Sequence, residues 1–210
     1  MDRNCKMCRL GCGQAVQGSG PRKPKLTVFL DHPGKKDTES GKPLMSKAGQ
    51  VLRDALRNLV GLDPDTEVFF DYVLRCEPDG KQKQPEYTAC KRWTTETLRD
   101  IDTDVILIAG SHAFEQLLPH VIQQEQQIDP KFNISKAHGK TYQHLGKLYF
   151  ITWSPNVIEQ NKVYKGVGEG RNMVAKPWFP RGSTPELFIR DMKKLRALLE
   201  ARQAPASAGP

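Results

Sequence analysis

Residues Val105-Ile-Leu-Ile-Ala109 are apolar at every position. A strand with one wet face alternates apolar and polar side chains, so an unbroken run belongs in a sheet covered on both faces. Lys25-Leu-Thr-Val-Phe-Leu30, Glu67-Val-Phe-Phe-Asp-Tyr-Val-Leu74 and Leu148-Tyr-Phe-Ile-Thr-Trp153 read as three more strands. Helical patterns separate them. From Ser46, a capping residue, Ala48, Val51, Leu52, Ala55, Leu56 and Leu59 recur at helical spacing. Pro85 opens a helix carrying Tyr87, Cys90, Trp93 and Leu98 on its inner face. Gly110-Ser111 turns into another with Phe114, Leu117 and Leu118, and Leu187, Ile189, Met192, Leu195 and Leu199 mark the last. This alternation predicts an α/β fold, a three-layer α/β/α sandwich with a central parallel sheet of about four strands.

Right-handed crossovers place every strand-to-helix loop on one edge of such a sheet. Those loops begin at Asp31, Leu74, Gly110 and Ser154. Ligands of open α/β sheets bind outside the carboxyl ends of the strands, so chemistry is expected there. The rest of the chain divides around this domain. Residues 1–24 form a cysteine-bearing arm, 25–200 the α/β domain, and 201–210 a tail expected to be disordered. A polar loop is expected up to Met45, an exposed excursion from Gln123 for about a dozen residues past Gln127, and a long basic loop over Glu159–Thr184.

The 210 residues suit one domain, and a net charge of +8 favours a polyanionic partner. No apolar run approaches the roughly 20 residues of a membrane span, and no export signal is apparent, so a cytoplasmic location is expected. Cys5, Cys8, Cys12, Cys76 and Cys90 are therefore read as metal ligands before disulfides. Cys5-x-x-Cys8 is a chelating pair, and Cys76 and Cys90 bracket a strand–loop–helix unit. Four thiolates suit zinc and an iron–sulfur cluster equally by spacing.

Cys5-Lys-Met-Cys8-Arg-Leu10, the Pro33-Gly34 strand end and Ser40-Gly-Lys-Pro-Leu-Met-Ser-Lys-Ala-Gly49 resemble the opening of the iron–sulfur uracil-DNA glycosylases. Leu74-Arg-Cys-Glu-Pro78, Glu86-Tyr-Thr-Ala-Cys90, Ile108-Ala-Gly110 and Thr152-Trp-Ser-Pro155 extend the resemblance, in order, to about residue 158. It implies a [4Fe–4S] cluster held by Cys5, Cys8, Cys76 and Cys90, with Cys12 spare and zinc as the competing occupant. It also implies DNA as substrate, single-stranded or locally opened, because such enzymes act on an extruded base.

The reagents differ from that pattern while the backbone-shaping residues remain. The family's Gly-Glu-Ala-Pro-Gly reads with Asp31 and His32 at its Glu and Ala, and Leu44 stands where an aromatic stacks the base. Tyr72 falls at the uracil-reading Asn, and Ser154 at the His before Pro. Pro33, Gly34, Gly41, Pro43, Ala48, Gly49 and Pro155 are retained. Two readings fit this pattern. In one, Asp31, His32, Ser154 and Asn156 carry catalysis, and Pro33, Gly34, Leu44 and Tyr72 shape a base pocket retuned for uracil or another altered base. In the other, excision is lost and the chain is a DNA-binding accessory factor of a replication or repair complex. A small-molecule enzyme with a structural zinc finds no supporting motif. Lys162, Tyr164, Lys165 and Arg171, in a loop continuing through Trp178 and Phe179, suit phosphate contacts and base stacking. Its Gly-x-Gly-x-Gly is expected to lack the preceding strand and following helix of a nucleotide fingerprint. Arg22, Lys23, Lys25, Lys35, Lys36, Lys42 and Lys47 are expected to add charge beside the first crevice loop.

Overall fold

Along Val105–Ala109 the side chains alternate between two cores. Val105, Leu107 and Ala109 enter one, Ile106 and Ile108 the other. The structure is a computed structural model that describes residues 5–10, 14–118, 133–167, 174–178 and 180–203, with backbone alone for 163–167, 174–178 and 203. The elements are β1 (Leu26–Leu30), α1 (Lys35–Ser40), α2 (Lys47–Ala55) continued by a π-helical turn (Leu56–Val60), β2 (Val68–Tyr72), α3 (Gln84–Asp100), β3 (Val105–Ala109) and α4 (Ser111–Leu117). They continue as α5 (Ile134–Ala137), β4 (Thr141–His144), β5 (Lys147–Thr152), α6 (Pro155–Gln160), β6 (Val163–Val167), β7 (Val174–Trp178) and α7 (Thr184–Gln203).

The main sheet has the order β2-β1-β3-β5-β4. Four strands are parallel, and β4 runs antiparallel to β5 at one edge. One face is covered by α2, the π-helical turn and α7, through Leu52, Leu56, Phe188, Met192 and Leu195. The other is covered by α3 and α4, through Tyr87, Cys90, Ala113, Phe114 and Leu117. The three-layer sandwich is thus present. On α7 the buried positions include Phe188 and Met192, while Leu187 and Ile189 are only half-buried.

Several local expectations are corrected. The β4 edge makes five strands; Tyr142 is the only buried residue of Thr141–His144, so the segment carries no apolar run. The polar loop before Met45 contains α1, and the basic loop after Ser154 contains α6 and an antiparallel β6–β7 hairpin. The Gly-rich segment is therefore preceded by a strand, β6, and succeeded by another, β7, rather than by a helix. The excursion after Gln123 lies partly outside the described residues; 134–137 within its span form α5. Helix α7 runs to Gln203, past the expected start of the tail, whose residues 204–210 lie outside the described ones.

The arm does more than carry cysteines. Ala15 and Val16 are core residues. Ser19 exchanges backbone hydrogen bonds with Phe70 at 2.8 Å, and the Val16 N–H donates to the Arg75 carbonyl at 2.7 Å. The arm thus covers the otherwise bare β2 edge. At Gly20 (φ +143°) a Cβ would stand 2.4 Å from the Val68 carbonyl oxygen, so the close approach needs glycine.

Candidate functional site

Strand β1 leads to β2 on one side, and the chain then crosses back to β3 on the other. The order reverses between β1 and β3, the switch point at which open α/β sheets form a crevice. Their carboxyl ends touch: a Cβ on Gly110 would lie 2.4 Å from the Asp31 carboxylate. A cleft of about 90 Å³ opens here, lined by Asp31, His32, Leu44, Tyr72, Ser154 and Asn156, with Gly34 and Asp37. Seven of the eight catalytic and base-pocket residues expected from sequence share this lining; the eighth, Pro33, is buried and not part of it.

Each lining group has local commitments. The Asp31 carboxylate accepts the Ala113 N–H at 2.8 Å and so caps α4, whose own N-cap, Gly110, has no side chain. Burial raises the Asp31 carboxyl above the usual range, opposed by that hydrogen bond and by His112 and His32. A carboxyl raised on folding stabilises the fold while protonated. That contribution is complete below the ordinary Asp value of about 3.9 and is lost as the pH rises through the folded value. Asp31→Asn keeps an oxygen for Ala113 and removes the buried charge. Thermal unfolding is therefore expected to show a raised melting temperature at neutral pH and no gain below about pH 3.9. A gain independent of pH would contradict this assignment.

His32 Nδ1 lies 3.1 Å from the Pro33 carbonyl oxygen, a hydrogen bond that requires the proton on Nδ1. Ser154 caps α6, accepting the Asn156 N–H at 3.4 Å, with Pro155 at the first helical position. That Ser-Pro pair was a readable helix start.

Tyr72 and Leu44 are tied to a residue that sequence reading missed. Asp37, 4% exposed, accepts the Gly34 N–H at 3.1 Å, the Met45 N–H at 2.6 Å and the Tyr72 hydroxyl at 2.8 Å. The Tyr72 oxygen in turn accepts the Leu44 N–H at 3.2 Å. Tyr72 is buried, and its hydroxyl serves the loop rather than a ligand. Leu44 has φ +62°, a left-handed conformation costing roughly 1–2 kcal/mol in a non-glycine residue. Its carbonyl accepts Gln50 Nε2 at 3.2 Å, and Gly49 packs so closely that a Cβ would stand 2.5 Å from the Leu44 backbone. The strain is thus held from three sides. An acid three residues after Gly34, at a helix start, was the available signal for Asp37.

The basic positions are only partly gathered. Lys35, Lys36, Lys42 and Lys47 are exposed on the first crevice segment. Lys23 and Lys25 instead line a separate hollow of about 320 Å³ at the amino ends of β1 and β3, with Asp102, Asp104 and Arg202. The Arg22 carbonyl accepts the Asp102 N–H at the same edge, while Arg22 itself lines a neighbouring hollow with Phe69, Arg75 and Thr97. Residues preceding a strand must lie at the edge opposite the crevice, which corrects the expectation for these three. Lys162 pairs with Glu159. Tyr164 and Lys165 fall on β6, where only backbone is described, and Arg171 lies outside the described residues.

Cys5, Cys8 and Cys90 are free thiols, and Cys76 is disulfide-bonded. Burial pushes the Cys90 thiol up, as do Cys8 and Cys5, against a hydrogen bond from the Arg75 N–H. Cys8 and Cys5 are thus within electrostatic reach of Cys90, with Cys76 next in sequence to Arg75. The donor set fits a soft metal or an iron–sulfur cluster. Among the described residues no group of three or more ligands is arranged as a metal site. Cys12 lies outside them.

A family model for the uracil DNA glycosylase superfamily matches residues 17–179. The chain belongs to that superfamily. This uracil-DNA glycosylase-superfamily chain is similar to the type-4 uracil-DNA glycosylases of Sulfurisphaera tokodaii and Saccharolobus solfataricus. Each is 26% identical, over 143 and 144 residues, or 66% and 67% of the chain. The matches span 62% and 63% of those enzymes, less than two thirds of their length. A DNA polymerase of Bacillus phage SP01 is 22% identical over 189 residues, 89% of this chain but 17% of the polymerase. No helix among the described residues is long and apolar enough to cross a membrane.

Proposed function

We propose that this superfamily member hydrolyses the N-glycosidic bond of uracil or another altered base in DNA. The observation that carries this reading is the convergence of Asp31, His32, Ser154 and Asn156 with Leu44 on one cleft at the β1/β3 switch point. In the reaction, the bond from the sugar C1′ to the base nitrogen breaks and its electron pair leaves with the base. Water adds at C1′, giving up a proton, and the base anion gains one. In this reading Asp31 faces the positive charge developing on the sugar, and His32, as an imidazolium with its Nδ1–H held by Pro33, offers its Nε2–H to the leaving base. Ser154 and Asn156 offer hydrogen bonds to the base edge, and Leu44 an apolar surface to one face. The departures from the family's usual reagents leave uracil one candidate among altered bases.

The DNA enters single-stranded or locally opened, with Lys162, Tyr164, Lys165 and Arg171 as further contacts on the segment after α6. Cys5, Cys8, Cys76 and Cys90 would hold a [4Fe–4S] cluster, which requires Cys76 as a thiolate; zinc is the alternative occupant. Four thiolates leave no coordination site for substrate, so the group would fix the arm to α3.

A second reading, a non-catalytic DNA-binding accessory factor of a replication or repair complex, is favoured by the similarity to a stretch of a DNA polymerase. Oligonucleotides carrying uracil, hypoxanthine, xanthine or modified thymines separate the two when assayed for abasic sites. Base release that disappears in Asp31→Ala or His32→Ala supports the enzyme. Binding without release from any of them supports the accessory factor. Iron and sulfide in the same anaerobic preparation are expected at cluster stoichiometry; zinc alone would replace the cluster with a zinc site.

A further inference from the structure

A second constellation stands one residue beyond the crevice. Asp191 on α7 is 2% exposed, and burial raises its carboxyl against the pull of His138, Thr152 and Lys194. Its Oδ2 accepts the Thr152 hydroxyl at 3.0 Å and lies 3.2 Å from His138 Nδ1. Gly139 (φ +69°) makes room for this pair; a Cβ there would stand 2.6 Å from Asp191 Oδ1. The Gly139 N–H donates to the Ile151 carbonyl at 2.8 Å, which fixes His138 beside the carboxyl end of β5. The imidazole also lies against Trp153, with ring centroids 5.2 Å apart. Trp153 precedes Ser154, which lines the cleft.

Joining α7 to β5 needs only Thr152 and one ring nitrogen of His138. The histidine is nevertheless oriented at Nδ1 by a buried acid, and no hydrogen bond among the described residues reaches Nε2. Its side chain is 19% exposed. A carboxylate-braced imidazole with a free Nε2 is a preorganised donor to an anion. The anion nearest a cleft that receives an extruded nucleotide is the phosphodiester flanking it.

We propose that His138, braced by Asp191, binds a backbone phosphate of the strand whose base enters the crevice. The proposal rests on the DNA-binding reading above but not on base excision. Binding of a thymidine oligonucleotide with one tetrahydrofuran abasic analogue, measured across a salt series, tests it. His138→Gln keeps a donor for Asp191 and is expected to flatten the slope of log affinity against log salt by about 0.7, one single-strand phosphate contact. His138→Arg, which retains a cation, is expected to restore most of that slope. In wild-type protein labelled with 15N-histidine, the oligonucleotide should shift the His138 Nε2 resonance, a readout that needs no altered fold. Wild-type protein that fails to bind at low salt overturns both readings. Wild-type binding with an unchanged slope in folded His138→Gln and no Nε2 shift overturns this one alone.

Discussion

Asp37→Ala is expected to lower the unfolding free energy by about 2–4 kcal/mol, because three donors lose their acceptor, the Tyr72 hydroxyl in a buried place and two backbone N–H groups in part-buried ones. The Gly34 and Met45 N–H groups and the Tyr72 hydroxyl all meet this one carboxylate. A buried donor left unsatisfied costs about 1–3 kcal/mol, and water reaching the two part-buried N–H groups recovers part of the sum. The loss is a large share of the roughly 5–15 kcal/mol that holds a domain folded. Leu44 is expected to leave its left-handed conformation, since the Tyr72 oxygen that receives its N–H is held by Asp37. Urea denaturation measures the loss. Tyr72→Phe, which removes one hydroxyl and leaves Asp37 two donors, should cost less. An unchanged midpoint in Asp37→Ala would contradict the role given to this carboxylate.

Arg75→Ala is expected to cost somewhat more, roughly 3–5 kcal/mol, by stranding a buried charge. Asp71 is fully buried in β2, and its oxygens accept Arg75 Nε at 2.9 Å, Arg75 Nη2 at 2.5 Å, the Thr97 hydroxyl at 2.6 Å and the Tyr72 N–H at 2.8 Å. The guanidinium also donates to the Thr97 hydroxyl oxygen at 2.9 Å and lies over Trp93 on α3. Without it, the Asp71 carboxylate keeps only neutral donors. Because the Arg75 carbonyl receives the Val16 N–H, the arm should loosen with it. Replacing Asp71 and Arg75 together by apolar residues of similar size is expected to recover much of the loss, since desolvation of both charges is then avoided. A double variant no more stable than Arg75→Ala would contradict this account.

The parts legible in the sequence are those whose physics is local. Val105–Ala109 could be placed because every residue enters a core, and the sandwich followed from alternation with helices. Thr141–His144 could not, being a polar edge strand with only Tyr142 buried. Lys35–Ser40 has no apolar face, and its structure rests on Gly34 and Asp37 bonding across its first turn. The crevice was legible because topology alone puts Asp31, Gly110 and Ser154 on one edge. The roles within it were less so. Tyr72 turns its hydroxyl to Asp37, and Leu44 takes a conformation that nothing in a leucine announces. The His138–Asp191 pair joins residues 53 apart and has no sequence signature.

The central claim is that DNA occupies the crevice at the carboxyl ends of β1, β3 and β5. Hydrogen exchange of the whole chain, with and without the abasic-analogue oligonucleotide, tests it directly. Slowed exchange is expected at 31–34, 44–46 and 154–158, with no change at 102–105 in the hollow on the opposite edge. Protection confined to that hollow, around Lys23, Asp102 and Arg202, would contradict the claim.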